Sequence, residues 1–159
     1  LPSWRYAKRV AVDIETKDTD LLKLGPGVRR PGNFICGVSF AIEDGPSFYL
    51  PVRHEGGWNL DPTKVFRYLK DQSKVFNGEL AGANLPYDLD WLAEKGVMYS
   101  PKFFKDVQVA EPLIDELQFR YSLEAIAGRY GIPGKSEDHL TKAAELFGFP
   151  AKKMKENID

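Results

Sequence analysis

The sequence predicts an α/β domain, a β-sheet layered against α-helices, and three observations carry that expectation. Short apolar runs with the spacing of strands crowd the first third of the chain. Segments with helical spacing and capping residues fill the remainder, so strands first and helices after give an α+β or mixed α/β layering. The 159 residues are 43% hydrophobic and 28% charged, enough apolar material for one cored domain over residues 1–159.

The first strand is Arg9 to Thr16. Val10, Val12 and Ile14 point to one face, and Ala11, Asp13 and Glu15 point to the other. A Val/Ile-rich strand this early in an α/β chain is usually central and covered on both faces, so its acids belong either at an exposed end or at a site. Lys17 to Gly32, with Gly25-Pro26-Gly27 and Pro31-Gly32, reads as a long loop. Phe34 to Ile42 and Ser47 to Val52 form the next strands around an Asp44-Gly45 hairpin turn, and Pro51 marks the second as an edge.

Asp61-Pro62 opens a helix whose apolar face is Val65, Phe66 and Leu69. A short buried strand is expected near Leu80 to Ala83. Asn84 then caps a helix ending before Gly96. Further helices are expected from Asp106 to Asp115 (Val107, Ala110, Leu113, Ile114), after Ser122 (Leu123, Ile126, Ala127 and Tyr130 inward, Gly131 as the stop) and after Ser136. The chain begins at Leu1 and ends within a Lys-rich stretch, which leads us to expect a piece of a longer protein.

Composition narrows the chemistry. A net charge of −1 excludes a strongly basic, non-specific nucleic-acid binder. No stretch reaches the roughly 18 apolar residues of a membrane span, so no membrane partner is expected. A single cysteine, Cys36, excludes an internal disulfide framework and fits a reducing, intracellular location. It should be an inert small hydrophobe.

The second acidic element is Asn84-Leu85-Pro86-Tyr87-Asp88. On a helix Leu85, Leu89 and Leu92 share a face that also carries Asp88, whereas Asp90 falls on the solvated side. A carboxylate on a core-facing stripe must be paired, neutralised or metal-bound. Two readings stand. Asp13 and Glu15 lie at an exposed strand end with Asp88 favouring a helix N-terminus, or the three converge on a cation. Few His and one Cys leave a carboxylate-held Mg²⁺ or Mn²⁺ as the only metal site the composition supports.

Asp13-Ile14-Glu15-Thr16 resembles the first motif of the DEDD-type 3′→5′ exonucleases, and Asn84-Leu85-Pro86-Tyr87-Asp88 resembles their second. The chain is similar in particular to the proofreading domain of family A DNA polymerases, of the bacterial DNA polymerase I type or a phage relative. Gly37 to Ile42 with Tyr49 to Val52, and Asp106-Val107 leading into Ser122 to Ala127, extend the likeness over roughly residues 8 to 132. The resemblance implies a ribonuclease H-like fold with a mixed five-stranded sheet flanked by helices. It implies hydrolysis of the 3′-terminal phosphodiester of single-stranded DNA with two cations. Asp13 would bridge both, Glu15 would hold the one serving the attacking water, and Asp88 would serve the second. Thr16, Leu21 (or Leu22), Asn84 and Tyr87 would touch the terminal nucleotide. The implied partners are a single-stranded DNA 3′ end and a polymerase domain of the parent chain, in the cytoplasm or, if virus-encoded, that of the host.

The family's third motif, Tyr or His, three residues, then Asp, does not occur after Asp88. We expect it beyond residue 159, which leaves this piece weak or inactive alone. Rival readings are a stand-alone or RNA-directed DEDD exonuclease of the ribonuclease D type, and a non-catalytic DNA-binding or structural module. Elsewhere, a solvated loop is the favoured reading for Arg29 and Arg30, a solvated face for Lys152, Lys153 and Lys155, and core packing for Trp58, Trp91, Phe103 and Phe104. His54 and His139 are read as surface positions, and Asp106 as the cap of its own helix.

Overall fold

The computed structural model describes residues 1–133. The helix expected after Ser136, His139 and the Lys152–Lys155 cluster lie outside them. The described elements are β1 (Arg9–Lys17), α1 (Leu21–Leu24), β2 (Phe34–Ile42), β3 (Ser47–Pro51), α2 (Pro62–Val75), β4 (Glu79–Gly82), α3 (Leu85–Glu94), β5 (Phe103–Asp106), α4 (Val107–Ile114) and α5 (Leu123–Arg129). The strands form one mixed sheet in the order β3-β2-β1-β4-β5. β1–β2 and β2–β3 pair antiparallel, and β1–β4 and β4–β5 pair parallel.

β1 is central, as expected, but among the described residues only one of its faces is buried. Val10, Val12 and Ile14 join Val38, Phe40, Leu50 and Leu80 in a core closed by Val65 and Leu69 of α2 and by Trp91 and Leu92 of α3. Ala11, Asp13 and Glu15 stay exposed on the other face among the described residues. The alternation along β1 therefore records a one-sided sheet, with its acids on the open side.

Trp4 stands at the centre of the core. Its ring stacks on Tyr99 and meets Phe40, Tyr68 and Phe76 at centroid distances of 5.0–6.3 Å. The chain start is tied down by Trp4 N–H to Gln72 Oε1 (2.9 Å) and by the Tyr68 hydroxyl to the Pro2 carbonyl (2.6 Å). A lone tryptophan ahead of the first strand belongs to no period, which is why the sequence reading missed it.

Several expectations change. The loop after β1 contains the short helix α1 and is organised from within. Buried Asp18, 2% exposed, accepts from Gly27 N–H (2.7 Å), Arg30 Nη1 (2.6 Å) and Asn33 Nδ2 (2.8 Å). Arg30 is thus ion-paired rather than solvated, and Arg29 pairs with Glu94 at 3.0 Å. β5 was not foreseen, because its four residues, Phe-Phe-Lys-Asp, show no burial contrast. Trp91 is core as expected, but Trp58 is 97% exposed and Phe103 and Phe104 are about half exposed. Trp58 sits on an outlying loop, and both phenylalanines lie on β5 at the sheet edge. In α5, Ile126 is buried and Gly131, at φ 66°, follows as the stop, but Leu123 and Tyr130 are about half exposed. Leu113 and Ile114 of α4 are exposed as well, so the apolar stripe of that helix is not core among the described residues. No described helix is long and apolar enough to cross a membrane.

Candidate active site

The pairing of β1 with β4 runs only from Arg9 to Ala11. Beyond it the chain turns from β4 into α3, and Gly82 permits the turn, because a Cβ there would overlap the Leu85 side chain. The start of α3 therefore drops beside the part of β1 that carries the acids. Asp88 Oδ1 accepts the Ile14 N–H at 3.1 Å, between Asp13 and Glu15 in sequence. Asp88 is 4% exposed, as its place on the leucine stripe predicts, and Asp90 is exposed.

Burial is the main force on the Asp88 carboxyl, pushing its pKa up to about 7. The Ile14 N–H opposes the rise, while Asp13 and Asp106 add to it by charge repulsion. The second motif is thereby coupled electrostatically to the first. A carboxyl with these neighbours holds its proton more tightly than an ordinary aspartate, and positive charge beside it would favour its ionised form.

The cap of α3 is supplied differently from expectation. Asn84 occupies the N-cap position in the left-handed region (φ 62°, ψ 43°), and its side chain makes no cap bond. A capping side chain needs an extended backbone at that position to reach forward to the helix amides. Asp106 takes over: it accepts from Asn84 N–H (3.1 Å) and Leu85 N–H (2.7 Å) while also capping α4 through Gln108 N–H (2.9 Å) and Val109 N–H (3.4 Å). The sequence reading assigned it only the second task. A cap borrowed from 21 residues downstream leaves no local signal.

The remaining motif residues are distributed as follows. Thr16 Oγ1 and Tyr87 Oη share a hydrogen bond of 2.6 Å that ties the end of β1 to α3. Leu21 is half-buried in α1, and Leu22 beside it is 98% exposed. Among the described residues no three carboxylate, imidazole or thiol groups are gathered closely enough to hold a metal. Asp13 and Asp88 are brought together, but a closed cage is not preformed.

Asp13 also opens onto a cavity of about 600 Å³ over the exposed sheet face, bordered by Ser39, Ala41, Tyr49, Ala81 and Leu123. Pairing places Tyr49 opposite Ser39 and Ser39 opposite Asp13, so these three form a row across β3, β2 and β1. Sequence reasoning passed over Tyr49, and only the sheet register singles it out.

The chain matches no protein-family model. It is 57% identical over 155 residues, 96% of its length, to a DNA-directed DNA polymerase of Pseudomonas phage M6. The chain is homologous to part of a phage DNA polymerase. It spans 23% of that relative's length. Among solved structures, Brucella melitensis NrnC with bound Mg²⁺ matches this polymerase homologue with a TM-score of 0.57 and 24% identity, over 86% of this chain and 60% of NrnC. NrnC bound to pGG gives 0.53 and 24%, over 81% and 56%. The family B DNA polymerase of the archaeon Pyrobaculum calidifontis gives 0.55 and 17%, over 82% of this chain and 19% of the polymerase. The five-stranded mixed sheet of this chain is thus the ribonuclease H-like fold, shared with these solved structures.

Proposed function

We propose that this chain is the 3′–5′ exonuclease module of a DNA polymerase, removing the terminal nucleotide of single-stranded DNA. The observation that carries the reading is the buried Asp88 carboxyl, hydrogen-bonded to Ile14 between Asp13 and Glu15 and held near neutrality beside Asp13. The homology to a polymerase supports the context, and the Mg²⁺ bound by a neighbour of the same fold supports the metal.

The donor set fits a hard divalent cation. It is all carboxylate oxygen, and a cation would relieve the desolvated Asp88 and its repulsion from Asp13. Asp13, Glu15 and Asp88 would hold Mg²⁺ or Mn²⁺, two ions in the complete site. Such ions supply Lewis-acid activation of water and charge stabilisation at the leaving 3′-oxygen. The chain's own part is positioning. Thr16 and Tyr87 brace β1 against α3 beside the acids, and Leu21, Asn84, Thr16 and Tyr87 receive the terminal nucleotide. Localisation follows the context, the cytoplasm of the cell or of an infected host.

The test is a 3′-exonuclease assay on 5′-labelled single strands with Mg²⁺ or Mn²⁺, comparing this chain with a longer one that contains a Tyr-x-x-x-Asp motif. The longer chain should be active and lose activity with Asp13→Ala, and this chain should be weak. Robust cleavage by the short chain would show that it needs no third motif, and an inactive longer chain would sink the assignment. A stand-alone exonuclease acting on short oligonucleotides is the second reading, drawn from the neighbour bound to pGG.

A further inference from the structure

The open sheet face carries one polar constellation that the carboxylate motifs do not account for. Tyr49 lies two strands from Asp13 in the same cross-strand row and borders the same cavity. Its hydroxyl is hydrogen-bonded to His54 Nε2 by a short contact. The ring lies flat over Gly37, where a Cβ would overlap the hydroxyl, and Gly37 pairs with Glu15 on β1. The phenol is therefore laid across β2 toward both acids of the first motif by a missing side chain beneath it.

The brace behind it is equally specific. Asn59 accepts the His54 N–H through Oδ1 (2.7 Å) and donates from Nδ2 to the His54 carbonyl (2.8 Å). This double clamp fixes the His54 backbone in the loop after β3, and with it the root of the imidazole. Lys17 Nζ at the end of β1 lies 3.6 Å from the exposed Glu55 of that loop. Asn59 thus anchors the main chain of His54, and the His54 ring in turn holds the Tyr49 hydroxyl.

A phenol in this position is a neutral donor in an anionic cleft. Burial first, and then the charges of Glu15 and Asp13, hold the Tyr49 pKa above its ordinary value, so it keeps its proton. With Nε2 protonated, His54 donates to the phenol oxygen and leaves the phenol proton free. An anion in the cleft would favour that arrangement over the reverse one. We propose that Tyr49, held by His54, is a substrate-positioning residue whose hydroxyl donates to a phosphate oxygen of the nucleic-acid strand lying over Asp13. The inference rests on the reading of Asp13, Glu15 and Asp88 as a phosphodiester-hydrolysing site.

The test is equilibrium binding of 5′-fluorescein-labelled (dT)₄ in Ca²⁺, with a parallel Mn²⁺ titration of the protein alone. Tyr49→Phe removes only the hydroxyl and should weaken (dT)₄ binding about tenfold, the scale of one hydrogen bond to a charged group, while leaving Mn²⁺ affinity within about twofold. His54→Ala should lose as much, and His54→Gln, which retains an amide donor, should recover part of the loss. A scaffolding role would instead lower the Tm and weaken Mn²⁺ and (dT)₄ together, and that result would overturn the proposal. So would (dT)₄ binding by Tyr49→Phe equal to that of the parent chain while Asp13→Ala abolishes it, an outcome that leaves the carboxylate reading standing. If Asp13→Ala changes neither Mn²⁺ nor (dT)₄ binding, the carboxylate reading itself fails and the proposal with it.

Discussion

Asp18 and Asp88 are both buried, 2% and 4% exposed, yet they are treated in opposite ways. Around Asp18 the loop supplies a guanidinium, a side-chain amide and a backbone N–H, all within 2.8 Å. Asp88 receives backbone help from Ile14 and has Asp13 and Asp106 as its charged neighbours. Among the described residues it makes no ion pair. A carboxylate whose valences are filled by its own protein holds structure. One left under-served and desolvated is available to something outside the chain. Asp106 falls with Asp18: its two oxygens accept four amide protons and fix two helices.

The contrast can be broken most forcefully at Arg30. Arg30→Ala leaves the Asp18 charge buried without its ion pair and should cost about 3–5 kcal/mol. Urea unfolding would read the loss, and hydrogen exchange should localise its first effects to residues 18–33. Asp106→Ala removes caps from α3 and α4 together and should cost about 2–3 kcal/mol. Asp106→Asn, which keeps one acceptor oxygen, should recover part of that.

Asp88→Asn tests the other side with the opposite sign. The folded-state pKa of about 7 lies above the ordinary 3.8, so the folded chain binds the extra proton between those values. Stability contributed by this group is therefore present at acid pH and is lost as pH rises toward and through 7. A shift of this size sets a ceiling of roughly 4 kcal/mol, and relaxation around the group should leave about 1–2 kcal/mol in practice. Asp88→Asn should accordingly raise the Tm at pH 8, leave it nearly unchanged at pH 4, and flatten the profile between. A destabilised variant at pH 8 would contradict the assignment. The smallest expected effect is that of Mg²⁺ itself. It should raise the Tm by a few degrees at pH 8, less at pH 6 where protons compete, and not at all in Asp13→Ala.

Much of this was legible in the sequence, for physical reasons that can be named. The period of two in Val10, Val12 and Ile14 locates the central strand, and the leucine stripe of α3 places Asp88 inward. Asp61 before Pro62 marked the start of α2, and its side chain does accept from Thr63 and Lys64 N–H. What stayed hidden depends on partners distant in the chain. Asp18 carries no local signal, because Gly27, Arg30 and Asn33 meet it only after the loop closes. Asn84 has the right identity for a cap and the wrong backbone conformation to act as one. Tyr49 reads as an ordinary edge-strand aromatic until the register sets it in line with Asp13 and over Gly37.

The shared cap at Asp106 also sets an order of assembly. In a chain emerging from the ribosome, β1 with Asp13 and Glu15 is complete long before α3, and α3 with Asp88 is synthesised before the carboxylate that caps it. The Leu85 N–H in the first turn of that helix finds its carboxylate partner only after 21 further residues and the docking of β5 beside β4. The cap over Asn84 and Leu85 is thus available only once the far edge of the sheet has closed. A nascent chain halted before Asp106 would carry every acid of both motifs without the cap that seats the second against the first.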